Sequence, residues 1–191
     1  MRAVSRGDFV PSALRRRADE DVPFPIGYGQ TVPRQSAVAA MVELLEPQDD
    51  LIVLEVGTGS GYTAAVLSRL ASHVHSVERV APLARLASER LRLLGYSNVS
   101  INIGDGFEGW LAAGPFDRIL VTAGVTRLSH TSALRQQLKP GGIMLVPVER
   151  EGGGHEVIRL HKGGNSFHSE VTFCATFVPM LRGTTRDDLL A

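Results

Sequence analysis

The chain has 191 residues, 43% of them hydrophobic and 21% charged, which suits one α/β domain with its own core. Its 20 Lys plus Arg equal its 20 Asp plus Glu, so no net field draws it to nucleic acid or a membrane surface. A single cysteine excludes an internal disulfide, no apolar run approaches the roughly 20 residues of a membrane helix, and no signal peptide is visible. The chain reads as a soluble, cytoplasmic protein.

Residues 1–20 carry a basic cluster (Arg2, Arg6, Arg15, Arg16, Arg17) that turns acidic at Asp19, Glu20 and Asp21. The pattern predicts a solvated helix face, with Phe9, Val10 and Leu14 docking the segment on the domain. Pro23 to Pro33 is dense in proline and glycine and predicts no regular structure. It also holds Phe24, Ile26, Tyr28 and Val32, so it reads either as a substrate wall or as a strap over the sheet edge. Ser36 to Leu45 has a helical apolar stripe (Ala37, Val38, Met41, Leu44, Leu45) that Pro47, Asp49 and Asp50 end.

Ile52 to Val56 reads as a strand buried on both faces, interrupted only by Glu55. Gly57, Gly59 and Gly61 follow, and Ala64, Ala65, Val66, Leu67 and Leu70 continue at helical spacing. A strand, a glycine loop and a helix start make a nucleotide-type site. His73 to Glu78 is a second strand with an acidic end. Ala81 to Leu94 is a helix, with Leu83, Leu86, Ala87, Arg90, Leu91 and Leu94 in register, stopped by Gly95. Val99 to Ile103 is a third strand, Phe116 to Ala123 a fourth, Ser132 to Leu138 a helix closed by Lys139-Pro-Gly-Gly142, and Ile143 to Val148 a fifth strand. Strands alternating with helices predict a doubly wound, mostly parallel α/β sheet. Glu156 to His161 and Ser169 to Val178 add antiparallel strands around Lys162-Gly-Gly-Asn165, and the tail after Pro179 reads as polar and loosely ordered. Cys174, within an apolar run, reads as a buried inert thiol.

The dinucleotide fingerprint needs a glycine where Tyr62 stands, and no Gly-Lys-Ser/Thr phosphate loop exists. Glu78, at a strand end, can accept both ribose hydroxyls of a nucleoside, or simply form a surface ion pair with Arg79. Asp105, between Gly104 and Gly106, can accept an adenine amino group, or merely shape a turn. All three features lie at strand C-terminal ends, where open α/β sheets bind ligands, and together they point to an adenosyl ligand. Of six histidines only His73 and His75 are close, no metal-ligand set completes around them, and no serine nucleophile elbow is present.

The acidic-x-Gly-x-Gly-x-Gly pattern at Glu55 to Gly61 resembles the first motif of class I S-adenosylmethionine methyltransferases. Over residues 2–180 the chain resembles the protein-L-isoaspartate O-methyltransferase family. The carrying segments include Arg6-Gly-Asp-Phe-Val-Pro11, Pro25-Ile-Gly-Tyr-Gly-Gln-Thr31, Leu54 to Tyr62, His75 to Arg79, Leu94 to Val99, Gly104 to Gly106, Leu138 to Gly142 and Phe177 to Met180. The resemblance implies one Rossmann-like methyltransferase domain over residues 1–191, with residues 1–35 as N-terminal segment and substrate loop and 36–191 as cofactor-binding core. It implies methyl transfer from S-adenosylmethionine to the α-carboxylate of an L-isoaspartyl residue in a peptide or protein, the first step of protein repair. It places cofactor contacts on Glu55, Gly57, Thr58, Gly59, Ser60, Gly61, Glu78, Arg79, Asp105 and Gly106. Substrate contacts fall on Gln30, Thr31, Val32 and Val178, with Phe177 and Pro179 beside them.

Two departures stand out. The family's loop reads Thr-Ile-Ser-x-Pro, and its serine is thought to orient the acceptor carboxylate. Here Pro33 takes the serine position and Gln35 the proline position, so no catalytic residue is assigned; Thr31 and Ser36 are the nearest hydroxyls. The chain also reads as short by about one helix at its N-terminus. Pro33 and Arg34 leave open a relative that methylates another peptide or small-molecule carboxylate, and a non-catalytic cofactor- or peptide-binding module. A dinucleotide oxidoreductase is disfavoured by Tyr62.

Overall fold

The two central strands of the sheet are buried on both faces over most of their length. The computed structural model describes residues 4–164 and 166–185. Among them the sheet strands are β3 (Ile52–Val56), β4 (His73–Glu78), β5 (Val99–Ile103), β6 (Phe116–Val121), β7 (Leu138–Glu149), β8 (His155–Gly163) and β9 (Ser166–Ala175), in the order β5-β4-β3-β6-β7-β8-β9. The pairs from β5 across to β7 are parallel, and β7·β8 and β8·β9 are antiparallel. The order runs outward from β3 in one direction and from β6 in the other, so the switch point lies between β3 and β6. Ligands bind open α/β sheets at that crevice.

The two faces can be read residue by residue. Val53, Val74, Leu120 and Leu145 share one apolar cluster with α1 (Gln35–Leu45), α2 (Tyr62–Leu67), Leu91 of α3 (Ala81–Leu93) and the N-terminal Phe9 and Val10. Leu54, Val77, Ile119, Val121 and Met144 point the other way, onto Phe107, Phe116 and Leu134 of the short helix α4 (Ser132–Gln136). Alternation along each strand forces this division. Helix α3 stops as its sequence predicts: Gly95 takes φ 80°, Tyr96 N–H donates to Leu91 O and Gly95 N–H to Arg92 O, the paired bonds of a left-handed helix stop.

Several expectations need correction. Pro23 to Pro33 is regular after all: β1 (Phe24–Gly27) and β2 (Gln30–Val32) form an antiparallel hairpin. The pair stands apart from the main sheet, where proline's missing N–H costs no interior ladder bond, and Gly27, Tyr28 and Gly29 all take positive φ to make the turn. The arginine cluster is no single solvated helix face. Residues Arg6–Asp8 and Ser12–Arg17 are 3-10 turns, and Arg6 is 2% exposed while Arg16 and Arg17 face water. Cys174 is exposed, because β9 is an edge strand with open residues along its length. Leu86 is 52% exposed, so the buried stripe of α3 runs through Leu83, Ala84, Ala87 and Leu91 instead. Lys139-Pro-Gly-Gly142 lies within β7 rather than ending a helix at Leu138. The tail is held as far as Thr185, whose N–H donates to Arg79 O at 2.8 Å. Arg2, Asn165 and residues 186–191 lie outside the described residues.

Candidate active site

The glycine loop leaves β3 at Val56. Gly57, Gly59 and Gly61 have φ of 99°, 53° and 88°, a left-handed region that L side chains rarely adopt. Gly57 N–H donates to Val77 O (2.8 Å), and Thr122 Oγ1 donates to Val56 O (2.9 Å) and Gly57 O (2.8 Å). A Cβ on Gly57 would run into that Thr122 hydroxyl. Arg90 Nη1 donates to Ser60 O at 2.7 Å, fixing the far end of the loop to α3. Gly61 serves packing instead, since a Cβ there would press on Leu91 at 3.2 Å and Ala87 at 3.4 Å.

Glu78 ends β4 with 5% exposure. Its Oε2 accepts Gly59 N–H at 2.9 Å and its Oε1 accepts Val80 N–H at 2.8 Å. Each carboxylate oxygen retains a second lone pair, so the same group can brace the loop and still accept two hydroxyls. Glu55 behaves differently. It is fully buried, and burial pushes its carboxyl up to about 8, against the hydrogen bond from Ser76 and with a further push from Glu78. Ser76 Oγ lies 2.5 Å from Glu55 Oε2 and also hydrogen-bonds the Thr58 hydroxyl, so the three groups form one buried chain. Glu55 Oε1 has no partner, which favours the neutral acid. A protonated Glu55 thus holds the glycine loop from below through Ser76 and Thr58.

These elements border a cavity of about 370 Å³ at the sheet's switch point. Of the residues predicted to contact cofactor, Gly57, Thr58, Gly59, Ser60, Glu78, Arg79 and Gly106 line it. Glu55, Gly61 and Asp105 stand outside the wall. Glu55 lies under the loop, Gly61 packs against α3, and Asp105 spends both oxygens on backbone, accepting Phe107 N–H (2.9 Å) and Gly183 N–H (2.7 Å). Of the predicted substrate residues, Gln30, Thr31 and Val178 line the cavity, while Val32 is buried in the core. Sequence reasoning missed Thr63, Thr122, Thr176 and the Val38–Met41 face of α1, all of which line it. Thr122 follows β6 directly, so the strand-end rule that found Glu78 would have found it too. His73 and His75 are remote from this wall; His75 packs on Trp110 and Phe116, and burial lowers its basicity.

A second part of the lining is made by the β1–β2 hairpin, the turn into α1 and the segment after β9. Pro33 and Arg34 line the cavity there, as do Phe177 and Pro179. Ser36 does not. Its hydroxyl donates to Asp21 Oδ2 at 2.6 Å and its N–H to Asp21 Oδ1 at 2.9 Å, which also holds the Asp21 carboxyl below its ordinary range. The Arg34 carbonyl accepts Val38 N–H at 3.2 Å, whereas its guanidinium makes no hydrogen bond or ion pair among the described residues and acts on the Asp21 carboxylate only through its charge. Gly124 N–H donates to Val178 O (2.8 Å) and Met180 N–H to Gly124 O (2.7 Å), tying the third part of the wall to the end of β6.

A glycine loop after the first parallel strand, a buried carboxylate at the end of the next and an adenosine-sized cavity between them define an S-adenosylmethionine-dependent methyltransferase of class I. The apolar Val77 and Met180 beside the free lone pairs of Glu78 suit a nucleoside's base and sugar. Residues 1–185 match the family described as protein-L-isoaspartate(D-aspartate) O-methyltransferase. A protein-L-isoaspartate O-methyltransferase of Ignicoccus hospitalis is 45% identical over 184 residues, covering 95% of this chain and 86% of the relative. One from Photorhabdus laumondii is 45% identical over 183 residues, covering 95% and 85%. A solved protein-L-isoaspartate O-methyltransferase superposes with TM-score 0.80 at 26% identity, over 92% of this chain and 58% of that one. A Plasmodium falciparum chain assigned to the same activity, in complex with S-adenosyl-L-homocysteine, superposes with TM-score 0.76 at 22% identity and 92% coverage of this chain. The chain belongs to the protein-L-isoaspartate (D-aspartate) O-methyltransferase family.

Proposed function

We propose that this chain carries out its family's reaction, methyl transfer from S-adenosylmethionine to the α-carboxylate of an L-isoaspartyl residue, between the two walls of the cavity. In this reading residues 1–35 furnish the acceptor wall and residues 36–191 the cofactor core of one cytoplasmic methyltransferase domain. The observation that carries it is that the glycine loop and the Gln30–Arg34 segment line one and the same cavity.

S-adenosylmethionine would supply, when bound, a sulfonium methyl group that an ionised carboxylate attacks at carbon, forming the ester C–O bond as the C–S bond breaks and S-adenosylhomocysteine leaves as a neutral thioether. Glu78 takes the ribose hydroxyls with the lone pairs that Gly59 and Val80 leave free. Gly57 and Gly59 would let the loop backbone approach the ligand, while at Gly106 a Cβ would run into Val56 and Met180 of the lining. Asp105 acts at one remove, by holding Gly183 and with it the Met180–Leu181 part of the lining.

A carboxylic acid is already ionised at neutral pH, so the acceptor needs orientation and partial desolvation rather than a general base. Thr31 and Arg34 orient it. Pro33 offers neither hydroxyl nor N–H, and Ser36 is committed to Asp21, so the exposed Arg34 guanidinium is the cation best placed to take a carboxylate. The Phe177–Pro179 segment supplies the backbone edge against which the isoaspartyl peptide lies. The test is methyl transfer from labelled cofactor to an isoaspartyl peptide and to its normal aspartyl twin. Strong preference for the isoaspartyl form is expected, and equal labelling of both would sink the assignment.

A further inference from the structure

Arg6 is the buried residue that the site description leaves without a role. It sits in a 3-10 turn at the start of the described chain, yet its guanidinium is 2% exposed and has no carboxylate in hydrogen-bond reach. Its partners are carbonyls. Nη1 donates to Ala18 O (2.9 Å) and Glu20 O (2.9 Å), and Nη2 to Val22 O (2.6 Å) and Pro33 O (2.8 Å), with Val32 O at 3.5 Å. The planar group also lies 4.9 Å from the centre of the Phe24 ring.

Asp19 and Asp21 act on this buried cation only from beyond hydrogen-bond range, and burial is costly unless several dipoles converge on it. Here they come from two stretches of chain, residues 18–22 and residues 32–33, which the hairpin β1–β2 separates. The second stretch is the turn between Thr31 and Arg34. Its own backbone is poorly equipped to hold it, because Pro23, Pro25 and Pro33 carry no N–H. Four N–H groups in a rigid plane can satisfy four carbonyls at fixed angles; an ammonium cannot reproduce that fork. The glycine loop has separate braces in Thr122, Glu78 and Arg90.

We infer that Arg6 is the positioning residue of the acceptor wall, setting the turn that carries Thr31 and Arg34 without acting on the cofactor wall. The inference rests on the acceptor-wall reading above. Displacement of a substrate-positioning group by a fraction of an ångström to an ångström costs on the order of 10- to 100-fold in turnover. Arg6→Ala and Arg6→Lys are therefore expected to lower kcat/KM for an isoaspartyl peptide at least about tenfold, while calorimetric affinity for S-adenosylhomocysteine stays within about twofold of the parent. Free guanidinium ion at low millimolar concentration is expected to restore part of the Arg6→Ala loss, and hydrogen exchange over residues 30–34 to quicken in both variants. Arg6→Lys keeps the charge and carries the test if Arg6→Ala fails to fold. An unchanged kcat/KM, or cofactor affinity falling in step with it, would overturn the inference. Should the parent prove inactive on isoaspartyl peptides, hydrogen exchange decides alone: unchanged rates over residues 30–34 sink the role of Arg6 whatever the acceptor is.

Discussion

The two walls of the cavity are held together by different means. The cofactor wall is a backbone construction: parallel strands fix where β3, β4 and β6 end, and glycines, a threonine and a carboxylate finish the curve. The proposed acceptor wall is a small hairpin outside the main sheet, whose Phe24 and Val32 pack into the core and whose exit into α1 is held by the buried Arg6 and by Asp21 on Ser36. The first wall is set by the fold and changes little without breaking it. The second hangs on a few side chains, so acceptor specificity can shift while the cofactor site stays the same. Pro33, at the position where the sequence resemblance expects a serine, is where such a change would lie.

If the walls are separable, damage to one should leave the other's constants alone. The largest effect is expected from Glu78→Gln, which turns a charge-assisted acceptor of two backbone N–H groups into a neutral amide. A loss of about 1.5–3 kcal/mol, or about 10- to 100-fold in S-adenosylhomocysteine affinity by calorimetry, should follow, with peptide KM at saturating cofactor nearly unchanged. A parallel rise in peptide KM would mean that the walls are coupled.

Glu55 gives a comparison within the cofactor wall. Its folded carboxyl titrates near 8 against an ordinary 4.5, so between these values the folded state keeps a proton that the unfolded chain releases. Stability should therefore fall as pH rises through that window, at up to about 1.4 kcal/mol per pH unit from this group, and level off above it. Glu55→Gln should remove that slope. Urea unfolding at pH 6 and 7.5 is expected to show the parent losing about 2 kcal/mol more than the variant; equal losses would mean that Glu55 is ionised in the folded protein.

The smallest effect belongs to the acceptor wall. Restoring the hydroxyl with Pro33→Ser should raise kcat/KM on an isoaspartyl peptide by roughly two- to tenfold, the worth of one hydrogen bond partly replaced by Arg34. A change below twofold would show that Thr31 and Arg34 already do all the orienting.

The contrast between the walls also explains what was legible in the sequence. The alternating core, the glycine loop, Glu78 and the helix stop at Gly95 obey local spacing rules, and the structure follows them. Arg6 read as one of five surface arginines because nothing in its neighbours announces that carbonyls 12 to 27 residues away converge on it. The hairpin was missed because proline density argues against a strand unless that strand stands apart from a sheet interior, which only the tertiary structure decides. Asp105 and Glu55 fell at the expected strand ends, but their side chains turn to backbone and to a buried hydroxyl, a choice that spacing does not encode.

The most direct test is a crystal structure of the protein with S-adenosylhomocysteine and an isoaspartyl peptide bound together. The ribose hydroxyls should lie on the Glu78 carboxylate, and the acceptor carboxylate between Thr31, Arg34 and the Phe177–Pro179 segment, with the Arg6 contacts to Val22 and Pro33 intact. A sugar away from Glu78, or a peptide seated outside the Gln30–Arg34 wall, would contradict the division of the cavity into these two parts.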